Sequence, residues 1–122
     1  MNKTIGAPAA TYVVPHLSHL EVLEIPGLDT TLRMTAEVSK RCPFRNEVDS
    51  GTVTVYCPRL VDRTVELHSV AKWFELWRDT AISHEMFTML VHAAFCDVLR
   101  VQDVQVTSNF DTAGIRVEIV AF

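Results

Sequence analysis

The sequence predicts an α+β fold, an antiparallel four-stranded sheet with two helices packed on one face. Three observations predict it. Two stretches, Thr31 to Val38 and Thr52 to Cys57, alternate apolar and polar residues on either side of one loop. The period then lengthens to that of a helix through residues 65–79, and again from Ser83 to Val98. Two more alternating runs, around Val104 to Asn109 and Ile115 to Ile119, close the chain across a Gly-containing loop.

The elements follow in order. Residues 1–15 contain Pro8 and Pro15 and read as an N-terminal arm, or as a strand added to a neighbour. His16 and His19 form a His-Leu-Ser-His run, a weak metal signal because closed sites need three or four ligands. Leu20 to Ile25 reads as a short strand that Pro26-Gly27 stops. Leu32, Met34, Ala36 and Val38 then take one face of a half-buried strand. Ser50-Gly51 opens the next run, with Val53, Val55 and Cys57 inward, and Pro58 ends it. Cys57 shares the parity of the valines and reads as core.

In residues 65–79, Leu67, Val70, Ala71, Phe74 and Trp77 form a helical stripe, with Thr64 placed to cap it. Asp79 to Ser83 reads as a turn, and Ser83 as the N-cap of a second helix. That helix buries Phe87, Leu90, Val91, Ala94, Phe95 and Val98, leaving His92 and Cys96 off the face. Val104, Val106 and Ser108 face one way in the third long run, and Asp111 to Gly114 forms the hairpin loop before the fourth. The opposite parity, including Thr52, Thr54, Thr107, Val120 and Phe122, leaves the second sheet face bare. Such a face needs cover, most simply from copies that join their sheets into a barrel, so a symmetric homo-oligomer is expected.

At 122 residues the chain reads as one domain, 1–122, with an ordinary globular balance of 48% hydrophobic and 21% charged residues. The net charge of −4 disfavours a broad nucleic-acid surface without excluding a local basic patch. No apolar run approaches the length of a membrane span, and Met1 to Ala10 lack signal-peptide features. Three cysteines without paired spacing point to a reducing, cytoplasmic setting.

The stretch that carries chemistry is Lys40-Arg41-Cys42-Pro43-Phe44-Arg45-Asn46-Glu47-Val48-Asp49. It places a thiol and a carboxylate at the two ends of one inter-strand loop, where both can face one cavity. Lys40 and Arg41 put positive charge beside Cys42, and such surroundings favour a thiolate. A small, partly buried loop cysteine is the structural alternative. Glu85, in the first turn of the second helix, also suits the helix dipole for purely structural reasons.

Taken together these residues resemble the tunnelling-fold family of 7-cyano-7-deazaguanine reductase (QueF) and its short QueF-like relatives. Cys42-Pro43 with Asp49 seven residues on matches the family's Cys-Pro loop. Glu37 matches a Glu five residues before the Cys, and Glu66-Leu67-His68-Ser69 stands at the family's Glu-Leu-Lys-Ser stretch. His84-Glu85 matches its His-Glu pair, and Phe110 and Gly114-Ile115 look like its closing elements. The likeness runs from about residue 31 to the end.

The resemblance implies the tunnelling fold, in pentameric or decameric homo-oligomers with sites between subunits. It implies that Cys42 adds to a nitrile and forms a covalent thioimide. Asp49 would protonate the nitrile nitrogen, and His84 would assist proton movement or positioning. Glu85, with Glu66 and Ser69, would bind a guanine-like base, a carboxylate accepting two parallel donors well.

Departures from the pattern sort the activities. The reductases carry two lysines associated with NADPH where this chain has His68 and Ala71, and Lys72 is one residue off, about 100° around a helix. A Phe before the His-Glu pair is replaced by Ser83. The expected activity is therefore amidine formation with ammonia, as in archaeosine formation, with no cofactor. NADPH-dependent reduction of 7-cyano-7-deazaguanine is the alternative. A non-catalytic deazapurine-binding protein and a metal-dependent tunnelling-fold hydrolase are further readings. Whether the base is free or within tRNA or DNA stays open.

Overall fold

The computed structural model describes residues 13–122. The expected arm over 1–15 lies mainly outside the described residues, but Val13 to Pro15 are held against the helices. Thr80 Oγ1 donates to the Val13 carbonyl at 2.7 Å and Trp73 Nε1 to the Pro15 carbonyl at 3.4 Å. A 3₁₀ turn, Leu17–His19, follows, and His16 Nδ1 caps it by accepting the Ser18 N–H at 3.0 Å. Among the described residues no group of three or more His, Cys, Asp or Glu side chains is placed to hold a metal ion.

Four strands form one antiparallel sheet in chain order: β1 (Val22–Arg41), β2 (Val48–Val65), β3 (Gln105–Thr112) and β4 (Ile115–Ala121). The prolines do not end the strands as expected. Glu24 pairs with Arg63 and Asp29 with Val61, so β1 bulges over Pro26-Gly27 and continues. Gly27 adopts φ +85°, and its N–H donates to Asp62 Oδ1 at 2.7 Å. A second irregularity, between Thr30 and Leu32, carries β2 past Pro58, whose carbonyl accepts from Thr31 Oγ1. Bulges let a strand absorb a residue that cannot donate to the ladder. The last hairpin loop is also shorter than expected. Thr112 pairs with Ile115, so only Ala113 and Gly114 turn, both at positive φ as such two-residue turns require.

Two helices cover one sheet face. The first, α1 (Leu67–Glu75), runs on into a 3₁₀ turn at Leu76–Asp79; the second is α2 (His84–Leu99). The cap of α1 is Glu66 rather than Thr64, because β2 keeps Thr64 and Val65. Its buried stripe is accordingly Val70, Trp73, Phe74 and Trp77, while Leu67 and Ala71 are exposed. The two tryptophans meet α2 edge to face, with Trp73 and Phe95 centroids 5.7 Å apart and Trp77 and Phe87 4.9 Å apart, while Phe74 stacks on Phe95. Ser83 caps α2 as expected, accepting from the Met86 N–H at 3.1 Å.

Val53, Val55, Cys57 and Val106 face this layer and are buried. The opposite face carries paired hydroxyls, Thr35 with Thr54 at 2.8 Å and Ser39 with Ser50 at 3.1 Å. Thr107 and Val120 continue the Thr35–Thr54 row across the sheet.

One close approach matters for the site. Gly51 pairs with Phe110, and a Cβ at Gly51 would fall 2.0 Å from the Asn109 carbonyl oxygen and 2.7 Å from the Phe110 ring. Gly51→Ala should therefore push β2 from β3 and tilt that ring, lowering stability by about 1–3 kcal/mol, the usual cost of overpacking. Denaturant midpoints test this, and an unchanged midpoint would show that the strands separate freely.

Candidate active site

The site forms where three parts of the chain meet at one end of the β1–β2 ribbon. The hairpin connection is tighter than the Cys42–Asp49 loop expected. Arg41 pairs with Val48, the Cys42 N–H donates to the Glu47 carbonyl at 2.8 Å, and the Asn46 N–H returns to the Cys42 carbonyl at 3.0 Å. Asp49 thus lies within β2, directly across from Lys40. The segment after α1, read as a turn from sequence, runs beside the end of β1. The Arg41 N–H donates to the Thr80 carbonyl at 2.9 Å, and the Ile82 N–H to the Arg41 carbonyl at 3.0 Å. This short parallel bridge delivers His84 and Glu85 to Lys40, Cys42 and Asp49.

Lys40 is the centre of the cluster. It follows Val38 in the inward parity of β1 and is 0% exposed. Its Nζ donates to Asp49 Oδ2 at 2.9 Å and to the Ile82 carbonyl at 2.8 Å, and lies 4.9 Å from the centre of the Phe110 ring. A carboxylate, a carbonyl and a π face thus surround an ammonium with three donors. Burial pushes the Lys40 ammonium down from its usual value; Asp49, Cys42 and Glu85 all act to raise it. The geometry supports the charged form, with the Asp49 carboxylate and the Ile82 carbonyl both within hydrogen-bond distance and the Phe110 ring face beside them.

His84 lies flat on Phe110, with centroids 4.3 Å apart and planes 7° apart. Its Nε2 is 2.9 Å from Thr112 Oγ1. Its Nδ1 is buried without a hydrogen-bond partner, 4.0 Å from Asp49 Oδ2. Burial, followed by the charge of Lys40, holds His84 below its usual 6.5, against the weaker pull of Asp49 and Glu85. It is therefore a neutral ring beside the ion pair rather than a second cation.

Cys42 is half-buried, and Glu85 is exposed in the first turn of α2. Asp49 and His84 are thus brought together with Lys40, while Cys42 and Glu85 adjoin the cluster along the chain, and Glu66 and Ser69 do not. Those two sit at the opposite end of the β1–β2 ribbon, where the Glu66 N–H donates to the Glu21 carbonyl and the Glu21 N–H to Ser69 Oγ. The Glu66 carboxylate caps α1 by accepting from the His68 and Ser69 N–H groups, which keeps it below the usual carboxylate range. Glu37 is exposed on the other sheet face, across from Thr52. A cleft of about 520 Å³ on that side shares Gly51 and Phe110 with the cluster and is lined by Ser50, Asn109, Asp111 and Arg116. It does not take in Cys42, so the chemistry is assigned from the cluster and not from the cleft.

Sequence reasoning treated Lys40 only as charge near Cys42. The missed signal was its parity, a lysine in phase with Leu32, Met34, Ala36 and Val38. Phe110 and Thr112, as floor and hydrogen-bond partner of His84, left no local signal.

No family model matches the sequence, and no curated protein matches it. Among solved structures the chain is similar to an archaeosine synthase QueF-Like, crystallised in the apo form, with a TM-score of 0.70 and 23% identity. The match covers 75% of this chain and 90% of that one. The likeness shows the fold, a tunnelling fold with an antiparallel sheet and two helices. No helix among the described residues is long and apolar enough to cross a membrane.

Two measurements test the site's electrostatics. Lys40→Met strands a buried carboxylate and should cost about 3–5 kcal/mol in denaturant unfolding, whereas Lys40→Met with Asp49→Asn should recover most of that. Equal losses in both variants would mean that the pair is not coupled. For His84 the folded value is depressed, so the unfolded chain binds the proton more tightly and stability falls as pH drops below the usual value. His84→Gln should accordingly lose less stability than wild type between about pH 7 and pH 5. Parallel losses would assign the acid sensitivity elsewhere.

Proposed function

We propose that this chain is a QueF-like enzyme acting on the nitrile of 7-cyano-7-deazaguanine, as a base or within tRNA or DNA, and forming an amidine with ammonia. One observation carries the reading: a buried ion pair of Lys40 and Asp49 at 2.9 Å, with His84 Nδ1 4.0 Å from the same carboxylate, lies where Cys42 follows Lys40 by two residues and Glu85 follows His84. That arrangement offers a nucleophile, a proton carrier and an exposed carboxylate within one small region. The likeness to an archaeosine synthase QueF-Like supports the same direction.

In this reading Glu85 receives the ring N–H and amino group of the base as paired hydrogen bonds. Cys42 adds to the nitrile carbon, and Asp49 delivers a proton to the nitrogen as charge develops there. The product of that step is a thioimide. Ammonia then adds to the same carbon, the C–S bond breaks, and the amidine leaves with the thiol restored. His84 helps to place Asp49 and the transferred proton. No cofactor enters this route. The residues at the family's NADPH-associated positions, His68 and Ala71, are exposed, and neither carries a lysine.

Glu66 and Ser69 can join such a site only from another copy of the chain, because they lie at the far end of the ribbon. Among the described residues the second sheet face is bare and the outer edges of β1 and β4 are unpaired, which suits a homo-oligomer, pentameric or decameric, with sites between subunits.

Intact-mass analysis after adding the nitrile base, then ammonium or NADPH, tests the reading. The expected result is a covalent adduct in wild type, none in Cys42→Ala, and amidine release with ammonium. Asp49→Asn should slow adduct formation by about 10²–10⁴, the usual worth of a positioned acid or base. Turnover with NADPH but not ammonium would make the chain a reductase. Equal binding of the base by wild type and Cys42→Ala, with no adduct in either, would make it a binding protein.

A further inference from the structure

We propose that Lys40 is the positioning residue of the site: it ties Oδ2 of Asp49, leaves Oδ1 to move the proton, and sets a fixed positive charge near the Cys42 sulfur as that atom reacts. The proton step rests on the nitrile-adduct reading; the effect on Cys42 does not.

The geometry is specific. Lys40 Nζ holds Asp49 only through Oδ2, at 2.9 Å, and among the described residues Oδ1 has no hydrogen-bond partner. Asp49 keeps a small exposure, while Lys40 has none. The ammonium is itself held in place by the Ile82 carbonyl and the Phe110 ring. An ordinary surface lysine would swing freely, and this one cannot. The groups packed on it are Asp49 from β2, the Ile82 carbonyl before α2 and the uncharged Phe110 from β3, with His84 4.0 Å from Asp49; Cys42 and Glu85 act on it through their charge. His84 is neutral, so Lys40 is the cation on which Asp49, Cys42 and Glu85 all act.

This arrangement divides the labour. In adduct formation the Sγ–C bond forms, and the nitrile π bond gives its electron pair to nitrogen. Cys42 starts as the thiol: as Sγ attacks, its proton passes to Asp49 Oδ1 and from there to the nitrile nitrogen, which leaves the carboxylate ionised again. Nothing is oxidised or reduced, and Lys40 keeps its protons throughout. Its contribution is to fix the angle of the carboxylate before the base arrives and to attract the negative charge that develops on sulfur as its proton leaves.

The test uses two probes on the full chain. The first is iodoacetamide, which reports the reactivity of Cys42 without the nitrile. At neutral pH Lys40→Met and Lys40→Gln should alkylate at Cys42 about tenfold more slowly than wild type, as expected when a reacting sulfur loses a nearby cation. The second is the nitrile base. These variants should bind it with affinity close to wild type but form the adduct about 100-fold more slowly, the cost of a misplaced catalytic group.

If the single variants do not fold, Asp49→Asn and Lys40→Met/Asp49→Asn serve instead, compared with each other for the same tenfold alkylation difference. A folded variant, or that matched pair, with unchanged Cys42 alkylation overturns the inference. Absence of any adduct in wild type overturns the nitrile reading, while the alkylation result still decides whether Lys40 serves Cys42. A loss of base affinity equal to the loss in rate would give Lys40 a binding role and refute the positioning one.

Discussion

Lys40 and Asp49 face each other across β1 and β2 at 2.9 Å, with the ammonium wholly buried. Removing such groups from water costs several kcal/mol per ion, and the attraction between them offsets this only with good geometry and further partners. Here the further partners are the Ile82 carbonyl and the Phe110 ring. Each comes from a different part of the chain. The pair can be tolerated only if β1, β2, β3 and the segment before α2 arrive together. Fold and site therefore depend on the same contact.

The sheet prepares that contact in two ways. Its first two strands are long because bulges at Pro26-Gly27 and near Pro58 carry the ladder past residues that would otherwise stop it. The ribbon consequently separates two polar ends. One holds the Cys42 connection, and the other holds the Glu66 cap of α1. At the first end, Gly51 removes a side chain where β2 must lie close to Phe110. The ring then serves two neighbours, giving its face to Lys40 and a stacking surface to His84.

Two helix starts are satisfied by side chains of their own caps. Ser83 gives α2 a hydroxyl cap, so its first turn is well satisfied. Glu66 does the same for α1, and His68, turned to solvent, hydrogen-bonds back to that carboxylate.

Much of the fold was legible because periodicity is local. Alternation placed Val53, Val55 and Cys57 inward, and the helical period placed Val70, Phe74, Trp77 and Phe87 in the core. Proline and capping signals were less reliable. A bulge or an extended strand can override them, as at Pro26, Pro58 and Thr64. At the site, Cys42 and Asp49 could be named from their types and spacing, and His84 and Glu85 only through the resemblance to the QueF family. Their grouping could not, because it depends on the bridge between Arg41 and Ala81.

By itself the sequence determined which residues turn inward and which elements follow one another, since both depend on neighbours a few positions apart. Only the tertiary structure decided that an inward lysine would meet Asp49, Ile82 and Phe110, that His84 would be neutral, and that Glu66 would cap a helix far from Cys42. Alternation tells which face a side chain takes. It does not tell which distant segment will pack against that face.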